Sequence, residues 1–180
     1  MDSFAVSKKE LTIIEYQLGR PVNNVVEVVK RCSYGYPQVI QSYPLKDNKP
    51  FPTLYWLTCP FLVEKVSKLE SEQKIREFEK NIQEDNKLKI KLLLVHKQEI
   101  EKRLKLLGNK IDELPQSMTF VLKETGIGGT KNFSNLKCLH LHYASFLAGE
   151  DNPIGKMVND DILDYECSDI RCDIRGDTKN

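Results

Sequence analysis

The sequence carries almost no excess charge of either sign: 27 lysines and arginines stand against 26 aspartates and glutamates, a formal net charge of +1. Proteins that grip nucleic acid along its phosphates show a visible basic surplus, so its absence predicts that nucleic acid is not a partner. Long apolar runs are also missing. The densest in the second half of the chain, "IKLLLVH", falls far short of the roughly 20 residues that a membrane helix needs. The opening "MDSFAVSKKELTIIEY" has no basic stretch leading into an apolar one, so no signal peptide is expected and the chain reads as cytoplasmic, with no membrane contact. Cysteines number five, an odd count that does not fit a disulfide framework in a reducing compartment. Free thiol, metal ligand and buried residue are the roles left to them.

What is present is the composition of a globular protein, 40% hydrophobic and 29% charged over 180 residues, enough for one domain with a sizeable core. "SKKELTIIEYQLGR" reads as a short amphipathic helix capped by Ser7 and ended by Gly19. Three β-like runs follow: "NVVEVVKRC", "PQVIQSYP" and "PTLYWLTCP", with prolines at their ends and short turns between them. From Phe61 to Leu107 the sequence becomes long, charged and helical, with Leu62, Val66 and Leu69 on one face. Glu99 and Arg103, and Glu101 and Lys105, are spaced as i, i+4 pairs of a solvated face. The alternative is that helices 61–107 offer a surface to a protein partner. "SMTFVLKETG" and "GKMVNDDILDYE" add two more helices before a polar tail over 166–180. The expected fold is α+β: a small three-stranded antiparallel sheet over about residues 24–58, packed against five to seven helices in a single domain over 1–180.

Chemistry concentrates in "NLKCLHLHYASFLAG", which places one cysteine and two of the chain's three histidines close together in an apolar segment. On a helix from Ser134 to Ala148, Cys138 and His142 are four residues apart and share a face, whereas His140 lies about 160° from Cys138. Cys32 ends the first strand and Cys59 the third, at the same sheet edge. Cys32, Cys59, Cys138 and His142 are therefore the candidate ligands of a metal, zinc or iron, with Cys167 and Cys172 as a further pair. An enzyme reading instead makes Cys138 a nucleophile with His142 or His140 as base. A buried helix whose cysteine and histidines are simply core is the third possibility.

Just before this helix comes "GIGGTKNFS". Backbone N–H groups of Gly126, Gly128 and Gly129, with Lys131 and Lys137 beside them, would suit a small anionic ligand. The loop matches neither nucleotide-binding glycine pattern. A tight turn with glycines at positive φ is the competing reading.

The strings "QLGRP", "RCSYGYPQV", "PFPTLYWLTCP", "GIGG", "KCLHLH" and "NPIG", in that order from residue 17 to residue 155, resemble an uncharacterised bacterial family, the domain of unknown function numbered 501 (DUF501). The resemblance implies no activity. It does imply that Cys32, Cys138, His140, Gly128 and Gly129 stand at signature positions. It further implies that histidine also occurs in the family at the position of Cys59, an exchange that suits a ligand better than a core residue. Cys167 and Cys172 lie beyond this family core.

Overall fold

The computed structural model describes residues 6–174. Helix α1 (Lys8–Leu18) begins at a capping box, in which Ser7 and Glu10 each accept from the other's backbone N–H, and ends at Gly19 in the left-handed conformation. Strands β1 (Val25–Arg31) and β2 (Pro37–Ser42) pair antiparallel, with Val28 opposite Ile40. A hairpin of β3 (Leu45–Lys46) and β4 (Lys49–Pro50) then turns on Asp47 and Asn48, both at positive φ, as a two-residue turn between twisted strands requires. Strand β5 (Tyr55–Leu57) closes the sheet in the order β1-β2-β5. The chain is α+β, with the expected three-stranded antiparallel sheet, the small hairpin, and seven α-helices among the described residues.

The helices after the sheet are α2 (Pro60–Ser71), α3 (Lys74–Glu84), α4 (Asn86–Leu107), α5 (Gln116–Glu124), α6 (Leu139–Leu147) and α7 (Pro153–Asp161). None of the described helices is long and apolar enough to cross a membrane. Alternation along β2 sends its neighbours to opposite faces. Val39 joins the main core with Leu57, Leu62, Val66, Leu139, Tyr143 and Ile154, while Ile40 packs with Ile14 and Val25 under α1. Helix α6 thus lies inside the molecule, against β5, α2 and α7.

Two expectations need correction. The helix expected over 134–148 begins only at Leu139, because Cys138 has an extended backbone (φ −164°, ψ 156°). The expected pair of Glu99 and Arg103 on a wet face is instead buried, at 3% and 1% exposure. Arg103 crosses under α5 and donates to the carbonyls of Leu122 (3.0 Å), Thr125 (2.5 Å) and Pro52 (2.6 Å). A guanidinium has five donors in a fixed fork, and here they satisfy carbonyls that no helix or strand can pair. That demand, invisible in an i, i+4 pattern, draws the charge inside. The polar tail expected over 166–180 is described only to residue 174; within it, Cys172 is buried and Glu166 accepts from the backbone N–H of Ser33 at 2.7 Å.

Candidate metal centre

Three ligand atoms meet where α2 passes the start of α6. A Glu70 carboxylate oxygen, the Cys138 sulfur and a His140 ring nitrogen all lie within 4.8 Å of one another, each residue half-buried. Among the described residues no other set of three cysteine, histidine or acidic side chains converges so closely. Glu70 stands in the last turn of α2 and reaches across to the unsupported start of α6, where it accepts from the Leu139 N–H at 2.6 Å. A carboxylate suits this place because a helix N-terminus has free N–H donors and a positive dipole end. The same oxygen stands 3.1 Å from His140 Nδ1. His140 Nε2 faces the Val63 carbonyl at 3.2 Å and the Ser67 hydroxyl at 3.2 Å.

On one straight helix Cys138 and His140 would stand about 160° apart, but Cys138 precedes the helix. Extended backbone at Cys138 swings the thiol to the histidine's side, and Glu70 completes the group. Glu70 was hidden in the charge-rich stretch, where a carboxylate reads as surface. Burial, with Glu70 adding to it, pushes the Cys138 thiol up, so without a cation beside it this thiol is not an activated nucleophile.

The other sequence-predicted ligands are elsewhere. Cys32 and Cys59 line a small cavity together with Cys167 and Cys172, and neither Cys138 nor His142 lines it. His142 is 1% exposed and meets the Asn152 amide at 3.3 Å through Nδ1. Its ring stands edge-on to that of His96, 5.9 Å away between centroids. Burial first, and then His96, lower its pKa to about 3, which holds it neutral. The set Cys32, Cys59, Cys138 and His142 is therefore not one cluster, and His142 is sealed away from Cys138's partners.

His96, which sequence reasoning passed over, accepts the Ile127 N–H at Nδ1 (3.0 Å) and stacks on Phe133. Burial lowers its pKa to about 4. This contact explains the glycine loop. A Cβ on Gly126 would overlap the His96 ring, and Gly128 and Gly129 take φ of 67° and 80°. Within the loop, Gly126 N–H donates to Thr130 O (2.8 Å) and Gly129 N–H to Gly126 O (3.0 Å). Lys137 Nζ is held on the Gly128 carbonyl at 2.7 Å, and Lys131 lies over the Phe120 ring. The Gly126 and Gly129 N–H groups and both lysines of the suggested anion loop are thus engaged within the protein, and turn geometry accounts for the glycines. "NPIG" has a matching explanation: Asn152 caps α7 through the N–H groups of Ile154 and Gly155, and Gly155 lets α7 approach the His142 carbonyl.

No curated protein and no solved structure matches the chain. A family profile does match, over residues 28–160, and that span contains Glu70, Cys138 and His140 as well as Cys32 and Cys59, but not Cys167 or Cys172. On this match across most of its length, the chain belongs to the family described as Protein of unknown function (DUF501).

Proposed function

We propose that this protein binds a divalent transition metal of the zinc class through Glu70, Cys138 and His140. The observation that carries the reading is the convergence of carboxylate, thiol and imidazole within 4.8 Å. Thiolate, imidazole and carboxylate are the three ligand types that zinc accepts. The surroundings of His140 support it further. With Nε2–H donated to the Val63 carbonyl, a neutral ring keeps its lone pair at Nδ1, opposite a carboxylate oxygen 3.1 Å away. In that tautomer two acceptors face each other and a cation satisfies both; in the other, Nδ1–H donates to Glu70 and Nε2 accepts from the Ser67 hydroxyl at 3.2 Å. Metal-bound histidines typically hold their second ring nitrogen on a carbonyl in this way.

Three protein ligands leave a fourth position, where a bound metal would supply a water of lowered pKa for hydrolytic chemistry. The thiol-enzyme reading has less support: burial works against a Cys138 thiolate, and of its two candidate bases His142 is buried against Asn152 and His96, while only His140 lies within 4.8 Å of the sulfur. Alkylation of the full-length chain separates the two. Cys138 is expected to react slowly as purified and faster after chelation, with one metal ion released from its centre. Fast modification of Cys138 with no metal released would replace this reading by that of a reactive thiol.

A further inference from the structure

Four of the five cysteines are absent from the centre just described, and they come together elsewhere. Cys32 follows β1, Cys59 occupies the N-cap position of α2, and Cys167 and Cys172 lie in the irregular segment after α7; all four line one cavity of about 10 Å³. We infer that this is a second metal site, a closed set of four thiolates that takes zinc and staples the C-terminal segment to the edge of the sheet. It stands independently of the Glu70, Cys138 and His140 reading, with which it shares no residue.

Cysteine is often buried as a small apolar group, so a single one under a core carries no message. Four from three distant parts of the chain around one ion-sized space are a different matter. Four sulfurs are the full tetrahedral complement of a structural zinc, with no position left for water. The positions suit the chemistry. The Cys59 sulfur stands at a helix N-terminus, where negative charge is favoured, and the turn after Cys32 is closed by Gly35 N–H on the Cys32 carbonyl at 2.9 Å. Gln17 reaches from α1 to place its amide 3.1 Å from the Cys172 sulfur while also donating to the Pro37 carbonyl at 2.8 Å. N–H donors of this kind orient and stabilise metal-bound thiolates. As the side chains stand, no three of the sulfurs lie within 4.8 Å of one another. Rotation about χ1 between staggered wells moves a sulfur by roughly 3 Å, so closing the set calls for rotamer changes at the cavity.

The segment itself gives the reason for a staple. Residues 162–174 contain no α-helix or strand, and Leu163 is 88% exposed, yet the segment lies back across β1 and α2. Ile162 roots its start in the core, but from Leu163 onward its other contacts are polar, among them Gln38 to the Tyr165 carbonyl, Glu166 to Ser33, and Arg171 to Glu64 at 2.9 Å. Exposed contacts of this kind are individually weak. Coordination would hold the segment firmly, with the four thiol protons released to solvent as the ion binds.

The test uses the full chain, purified under reducing conditions without chelator, and cobalt(II) as the probe. An intense thiolate-to-cobalt charge-transfer band is expected, kept by Cys138→Ser, in which the first centre offers no thiolate, and lost when Cys167→Ser and Cys172→Ser are added to that variant. Cys59→His is expected to retain the ion with a weaker band, since imidazole replaces one sulfur. Should the serine variants fail to fold, the wild type still decides through trypsin cleavage after Arg171, between two of the ligands. That bond is expected to be cut slowly with zinc bound and at least tenfold faster after chelation. A band that survives loss of Cys167 and Cys172 in the Cys138→Ser background, cleavage indifferent to chelator, or recovery of these four cysteines as disulfides would overturn the site.

Discussion

His140 and His142 are two residues apart on one helix, and they live in opposite surroundings. His140 stands at the half-buried start of α6 with acceptors at both ring nitrogens, Glu70 on one side and Val63 on the other. His142 is closed inside, against His96, Asn152 and the glycine-bearing start of α7. Burial holds His142 and His96 neutral, and no ion-pair partner reaches them. The lesson is that imidazole serves two purposes here. Where acceptors converge it is equipped to share a cation; where they are absent it is a shaped, polar core residue. Changes around His142 should therefore cost stability, whereas changes around His140 should cost a ligand.

The largest loss is expected at the sealed end, from Arg103→Met. Similar volume is retained, but the carbonyls of Leu122, Thr125 and Pro52 lose their donor. Unpaired buried polar groups cost about 1–3 kcal/mol each, so for three carbonyls a loss of about 3 kcal/mol or more is expected in urea unfolding. A variant within 1 kcal/mol of wild type, a margin set by ordinary surface substitutions, would show that water reaches these carbonyls.

A smaller effect is the pH dependence of the same cluster. His96 and His142 have folded pKa values of about 4 and about 3, below their ordinary 6.5. The unfolded chain therefore takes up protons first, and their contribution to stability is lost as pH falls through about 6.5 toward those values. Glu99 runs the other way. Burial raises its carboxyl to about 7 from an ordinary 4.5, so its contribution is complete below 4.5 and is lost as pH rises through 7. Two histidines opposed by one glutamate leave a net slope of roughly one proton, or about 1.4 kcal/mol per pH unit, between pH 6 and 5. Glu99→Gln removes the opposing contribution and is expected to steepen that fall toward twice the slope. An unchanged slope would mean that Glu99 is not protonated in the folded chain.

Much of the fold was legible because periodicity reports burial. The valine-rich first strand, the N-cap at Ser7 and the stop at Gly19 all follow from local chemistry and recur in the structure. Helix α4 was legible as a helix but not in its orientation, since Glu99 and Arg103 are drawn inward by carbonyls far away in sequence. The candidate centre was half legible. Cys138 and His140 stood out as residue types, but their meeting depends on extended backbone at Cys138 and on Glu70 from another helix. No local pattern encodes either feature. The glycines of "GIGG" read as an anion loop or a tight turn, and "NPIG" only as part of the family resemblance. Their reason lies in the close approach of His96 and of the His142 carbonyl, which only tertiary packing creates.

The most direct test of the central claim sets the two histidines of α6 against each other. Metal content per chain would be measured for the full-length wild type, His140→Gln and His142→Gln, each purified without chelator and checked for folding. The account predicts that His140→Gln carries one ion fewer than wild type while remaining nearly as stable, and that His142→Gln keeps its metal but unfolds more easily. Equal metal in the wild type and His140→Gln would contradict it, and would leave Glu70, Cys138 and His140 as a helix cap.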